Sequence, residues 1–219
     1  MSVEIQSPER PRIAVGPVGL VAGAEIARLQ VGYLKDKPVA VATLARLRRG
    51  AGKNASALPD LWGLIDLDKL YAPENRALRL ESAENAVYAA VTLWCLHQQS
   101  RGVEMHEAKG IGVGAAVRKL MGSGEIDEPV RKRFVRVGSA PNFALLTSRL
   151  REIVQLLRRD AISLDYALLA DQLYRWQQPG GPEKVRREWG RSFHATWSQK
   201  PDPNPAATTG SDSNPKEAQ

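Results

Sequence analysis

Residues 142–159 read NFALLTSRLREIVQLLRR, and their spacing decides the fold class. Leu146, Leu150, Ile153 and Leu157 recur at i, i+4, i+7 and i+11, which places them on one face of an α-helix. Asn142 stands just before the run, where a side-chain oxygen can accept from the helix's unpaired N–H groups. Arg151 and Arg158 are seven residues apart and nearly superpose on the polar side.

The helical period continues on both sides. Upstream, Asp127 is placed to cap a helix whose third position, Val130, begins VRKRFVRV. Downstream, Ser163 is placed to cap a third helix with Tyr166, Leu169, Leu173 and Trp176 on its inner face. Pro182 starts a fourth, with Val185, Trp189 and Phe193 inward. Four amphipathic helices with short connections predict a four-helix bundle over residues 127–197. Before it, Val18–Leu34 and Pro38–Arg49 read as helices, with Pro38 at a first-turn position. Leu58–Tyr71 holds short apolar pieces and many carboxylates. A long helix over Leu80–Gln99 carries Val87, Val91, Trp94 and Cys95, and a shorter one over Gly110–Leu120 is closed by Gly122 and Gly124. These form an expected N-terminal helical domain over 18–126. No run of alternating β-branched residues appears, so the expected class is all-α without strands. Residues 1–17 carry three prolines and read as a flexible arm. Residues 198–219 lack any large apolar side chain, so ordering them would gain little burial, and they are expected to be disordered.

Of the 219 residues, 43% are hydrophobic, enough for a packed core. Lys and Arg number 31 against 24 Asp and Glu, a net charge of +7 that favours polyanionic partners. The one cysteine, Cys95, excludes an internal disulfide and sits in the apolar run VTLWCLH, where a buried core thiol is the reading. No run is long and apolar enough for a membrane span, and the first residues carry no apolar signal core, so a cytoplasmic location is expected.

Catalysis needs convergent polar groups. His97, His106 and His194 stand far apart and in no ligand spacing, so no metal site is expected. Asp60, Asp66, Asp68 and Glu74 are the residue type of a two-metal nuclease, but a solvated acidic loop or a protein contact is the better account. The segment GIGVGAAVRK at 110–119 lacks the preceding strand and the Lys-Ser/Thr ending of a phosphate loop. It reads as the tight start of a helix packed closely on a neighbour. No cofactor and no small-molecule substrate are expected.

The cations are unevenly placed. Arg46, Arg48, Arg49 and Lys53 occur with no acid between them. From residue 131 to 159, Arg131, Lys132, Arg133, Arg136, Arg149, Arg151, Arg158 and Arg159 face a single acid, Glu152. A merely solvated helix face usually mixes signs. So pure a sign repels itself unless a polyanion neutralises it. Arginine dominates, and its planar fork suits phosphate. Trp94, Trp176, Trp189 and Phe193 lie on apolar faces rather than among the arginines, so base stacking is not supported and sequence-independent backbone binding is expected.

In order and spacing, several pieces resemble the CasB family, the small subunit of the type I-E CRISPR Cascade surveillance complex. They are LARLRRG from Leu44, VYAAVTLWCLHQQS from Val87, GIGVGAAVRKLMGSGEID from Gly110, VRKRFVRV from Val130 and LREIVQLLRRDAISLDYALLADQLYRW from Leu150. The likeness runs from about residue 20 to 195. It implies an all-α protein of two helical bundles, without catalysis. It also implies two copies stacked head to tail against the backbone and large subunits, with target DNA, its displaced strand and guide RNA as nucleic-acid partners. The basic surface would stabilise the R-loop. On the resemblance, Arg48 and Arg49 match the family's paired arginines and Arg136 its arginine at the end of the first bundle helix. Lys119, Arg133, Arg149 and Arg158 lie near family basic positions. Ala115 departs from the pattern, standing where another member has arginine, and the Pro-rich tail lies outside it.

The expected nucleic-acid-binding set is therefore Arg46, Arg48, Arg49, Lys53, Lys119, Arg133, Arg136, Arg149, Arg151 and Arg158. The competing reading is a helix-turn-helix regulator with Pro38–Arg49 as recognition helix, though Pro38-Val-Ala-Val-Ala offers no polar group for base edges. A nuclease built on the 60–74 carboxylates and a scaffold without DNA affinity are further alternatives.

Overall fold

Helix boundaries follow the apolar spacing and the available caps. A computed structural model describes residues 14–54, 58–122 and 126–197. Among them are eight α-helices: α1 Pro17–Leu34, α2 Pro38–Leu47, α3 Leu80–Gln98, α4 Val113–Leu120, α5 Glu128–Gly138, α6 Phe143–Arg159, α7 Tyr166–Trp176 and α8 Gly181–Trp197. Short 3-10 turns at Arg48–Gly50, Pro59–Leu61, Asp68–Tyr71 and Pro73–Asn75 join α2 to α3. No strand occurs among the described residues. An isolated bridge pairs His106 with Leu164. No helix there is long and apolar enough to cross a membrane. The expected tail, the arm up to Ile13 and Gly124 lie outside the described residues. Pro17, expected in the arm, is instead the first residue of α1, where its missing N–H costs nothing.

Asp127 and Asn142 cap α5 and α6 through the N–H groups of Val130 and Leu145. The third cap differs from expectation. Ser163 donates to Glu107 Oε2 at 3.0 Å, and Asp165 caps α7 by accepting from Leu168 N–H at 2.9 Å. The reason is the bridge: Leu164 exchanges backbone bonds with Met105 and Glu107, which holds it extended and delays the helix. The bridge region also shortens α4, because Ile111 accepts from Asp165 N–H and residues 110–112 stay outside the helix. Within α4, a Cβ at Gly114 would lie 2.0 Å from the Trp189 carbonyl oxygen, so only glycine lets α4 lie directly on α8.

α3 organises the packing. Fourteen of its nineteen residues are buried, on every side of the helix. α1, α6, α7 and the Arg48–Gly50 turn each pack on part of it. α4 lies along α8, Phe134 of α5 stacks on Phe193 of α8 at 5.6 Å, and Trp176 stacks on Trp189 at 5.8 Å. The packing thus runs across residue 127: α7 rests on α1 and α3, and the buried side chains form one continuous cluster. Leu146, Leu150, Ile153 and Leu157 all lie within it.

Polar groups inside this core are paired across helices. Gln30 of α1 accepts from Trp94 Nε1 at 3.2 Å and from His106 N–H at 3.0 Å, and donates to the His106 carbonyl. Asp171 of α7 accepts from Gly16 N–H and Gly19 N–H, capping α1 from across the core. Burial raises its pKa. Cys95 is fully buried, and burial pushes its thiol well above the ordinary range.

His97 is buried at the end of α3, with Nδ1 2.9 Å from the Tyr166 hydroxyl and Nε2 without a hydrogen bond. Burial lowers its pKa from 6.5 to about 4. The folded protein therefore holds it neutral while the unfolded chain binds a proton below pH 6.5. Its contribution is complete above that pH and is lost as pH falls towards 4, a change of about 3 kcal/mol. We expect the difference in unfolding free energy between the parent and His97→Gln to shrink by about that amount from pH 7 to pH 4. Urea titrations across that range measure it, and a pH-independent difference refutes it.

Candidate nucleic-acid interface

α2 runs out at Leu47, so Arg48 falls in a 3-10 turn instead of on the helix. This turn is anchored by small residues. Gly50 sits under the Tyr88 hydroxyl, Thr92 of α3 and Leu61. Two residues on, Gly52 lies against α6: a Cβ there would meet Arg151 Cβ at 3.2 Å and Ser148 Cα at 3.3 Å. Gly52 adopts φ +75°, a conformation that side chains resist. Two cationic segments about a hundred residues apart in sequence thus meet. Lys53 follows this contact and Arg151 forms part of it, while Arg48 opens the turn four residues before Gly52; none of the three makes an ion pair or side-chain hydrogen bond among the described residues. Lys53 and Arg151 are exposed and Arg48 is half-buried.

Arg46 and Arg49 are exposed but engaged. Arg46 donates to the Asp60 carbonyl at 2.7 Å, and Arg49 pairs with the Asp60 carboxylate at 2.7 Å. Both partners of that pair are more than half or half exposed, so it is screened and weak. The acid missing from the 46–53 stretch is therefore supplied by the next loop.

On α6 the arginines divide between two flanks. At 3.6 residues per turn, Arg149 and Arg151 point about 200° apart. Arg149 faces α5, donating to the Arg136 carbonyl, and Arg136 reaches Glu152 at 3.8 Å. Arg133, one turn earlier on α5, is exposed and has no ion pair among the described residues. Arg158 leaves the corner altogether: its Nε donates to the Gln99 carbonyl at 3.0 Å, bracing the C-terminus of α3. Lys119 is exposed on α4, which packs along α8 and also touches α5 and α6. The ten residues thus resolve into a segment around the Arg48–Gly50 turn with Arg46, Arg48, Arg49, Lys53 and the facing Arg151, a second group of Arg133, Arg136 and Arg149, and the remaining Lys119 and Arg158.

The other candidates do not converge. Among the described residues no three His, Cys, Asp or Glu side chains could jointly hold a metal. His97 and His106 are buried in the core, and Asp66 accepts from the Asp68 backbone. One aromatic residue escaped the sequence reading. Trp62 follows Asp60 by two positions and is 69% exposed. Its signal is that LPDLWGLI has no clean period, so the side of the chain it faces is undetermined until the loop is folded.

The family model of CRISPR-associated protein Cse2 matches residues 43–194. The crystal structure of CasB from Thermobifida fusca is 54% identical, over 83% of this chain and 99% of that one, with a TM-score of 0.74. A chain of a CRISPR RNA-guided surveillance complex matches at 22% identity, covering 83% of this chain and 95% of its own, with a TM-score of 0.61. A chain of such a complex in a pre-nicking form matches at 22% identity, covering 83% and 96%, with a TM-score of 0.62. At that identity the last two establish likeness of fold. A search of curated proteins returns no match.

Gly52→Ala should strain the backbone and push the turn off α6. We expect a loss of about 2 kcal/mol in urea denaturation. Gly180→Ala serves as reference, because at φ +67° it meets nothing within 4 Å and suffers only the backbone cost. Equal losses at the two sites would mean that Gly52 does not seat the turn.

Proposed function

The chain belongs to the CRISPR-associated Cse2 family, and on that premise we propose that it is a non-catalytic small subunit of a type I-E Cascade surveillance complex, binding nucleic acid through phosphates and stabilising the R-loop. Its partners in this reading are the backbone and large subunits, a second copy of itself, and target DNA with its displaced strand. Guide RNA is a further nucleic-acid partner. The likeness of fold to surveillance-complex chains supports the assembly. The observation that carries the nucleic-acid reading is the corner where Gly52 seats the Arg48–Lys53 turn on α6. The turn carries Arg48 and Lys53 and the α6 face it rests on carries Arg151, with no carboxylate partner for any of them among the described residues. Holding them together in the free protein costs electrostatic repulsion that a phosphate backbone relieves.

The contacts are to the backbone and indifferent to sequence. α2, the recognition helix of the competing reading, exposes Val39, Val41 and Ala42, which carry no donor for a base edge. Arg136 and Arg149 form a second basic group between α5 and the other flank of α6, with Glu152 offsetting part of their charge.

If four to six phosphates are neutralised, log K for single strands falls against log salt with a slope of about −3 to −4. Changing Arg48, Lys53 and Arg151 together to Glu should flatten that slope by about 2 and reduce target binding by the reconstituted complex at least tenfold. The fold should survive, because these side chains make no internal pairs. Arg159→Glu is the control, since that residue is already paired with Asp160 at 2.7 Å. A triple variant that assembles, melts normally and binds target like the parent refutes the assignment.

A further inference from the structure

We propose that Trp62 is a stacking platform for an unpaired base, set beside the phosphate-binding corner. The inference rests on the reading of that corner as a nucleic-acid surface and adds a second kind of contact to it.

The loop that carries Trp62 is otherwise turned inward. In LPDLWGLI, Leu61 and Ile65 are buried, and Leu58 and Leu64 pack against the core. Trp62 alone among its large apolar residues projects, 69% exposed. The projection is held from both sides. Leu61 is wedged at Gly50, and the chain turns through Trp62 N–H donating to the Pro59 carbonyl at 3.1 Å. Among the described residues no aromatic ring or cation covers the indole, and its N–H makes no hydrogen bond. Trp94, Trp176 and Trp189, in contrast, are buried in the core.

Position supplies the ligand class. Arg46 and Arg49 both grip Asp60, one by its carbonyl and one by its carboxylate. Two residues of chain separate Asp60 from Trp62, at most about 7 Å between Cα atoms. The indole is therefore presented by the same short loop that Arg46 and Arg49 of the basic segment hold through Asp60. A cationic track beside an exposed aromatic face is what holds single strands: phosphates go to the arginines, and bases stack with little regard to identity. Duplex DNA offers no free base face to such a platform, so the contact favours an unpaired strand.

The test uses the full chain and three 20-nucleotide probes: oligothymidylate, a fully abasic strand of equal length, and duplex. We expect Trp62→Ala to weaken oligothymidylate binding about tenfold, to the level of the abasic strand, while abasic and duplex affinities and the salt slope stay unchanged. Trp62→Phe, which keeps an aromatic face, should retain most of the affinity. Indole fluorescence of the parent should be quenched by oligothymidylate more than by the abasic strand, a difference that Trp62→Phe removes. An alanine variant that binds oligothymidylate like the parent overturns the proposal. So does equal loss on the abasic strand, which would make Trp62 a brace for the turn. A variant that keeps its DNA affinity but no longer joins the complex would make it a protein contact instead. Absence of salt-dependent binding by the parent to any probe would defeat the phosphate reading itself, a separate outcome.

Discussion

The burial of α3 on all sides is the constraint from which the rest follows. A helix with apolar residues around its whole circumference has no face to give to water, so neighbours must surround it. α1, α6, α7 and the Arg48–Gly50 turn do so. Most of its polar groups then find partners inside the protein, the Tyr88 hydroxyl and His97 Nε2 being the exceptions among the described residues. Thr92 donates back to the carbonyls of its own helix. His97 meets Tyr166. Gln98 donates to the carbonyls of Arg101 and Val103 and accepts from Met105 N–H, which ties down the segment leaving the helix. That segment then forms the bridge with Leu164 and sets where α7 begins.

The same constraint builds the basic corner. α6 commits one face to α3, which leaves its arginines on the flanks and outer side. The Arg48–Gly50 turn is pinned to α3 through Gly50, Tyr88 and Thr92. Two cationic segments are thereby fixed to one rigid helix, and their relation needs no direct attraction between them, which like charges would refuse. On the proposed reading of this surface as a phosphate site, such bracing is required, because its own electrostatics drive it apart until the ligand arrives. The relative placement of these charges comes from the apolar core beneath them.

Not all of the positive charge is available. Asp60 takes up Arg49 and orients Arg46, Glu152 lies near Arg136, and Asp160 holds Arg159. Arg158 serves the C-terminus of α3, where a guanidinium satisfies a free carbonyl and suits the negative end of the helix. Net charge alone thus overstates the positive charge left without an acidic partner. Exposed pairs of this kind are weak, however, and an incoming phosphate can exchange with a carboxylate at little cost.

The sequence by itself determined the class, most helix limits, two of the expected caps and the uneven distribution of cations. These are local properties, since a 3.6-residue period or an Asn before an apolar run involves residues within a turn or two of one another. Tertiary structure alone decided which acids meet which arginines, because Arg49 and Asp60 are joined across a loop without period. It decided that Asp171 caps α1 from 155 residues away and that Asp165, not Ser163, caps α7. It also decided that Trp62 faces solvent while its neighbours face the core. In each case the determining contact lies between segments whose approach is set by packing around α3, and no window of contiguous residues contains that information.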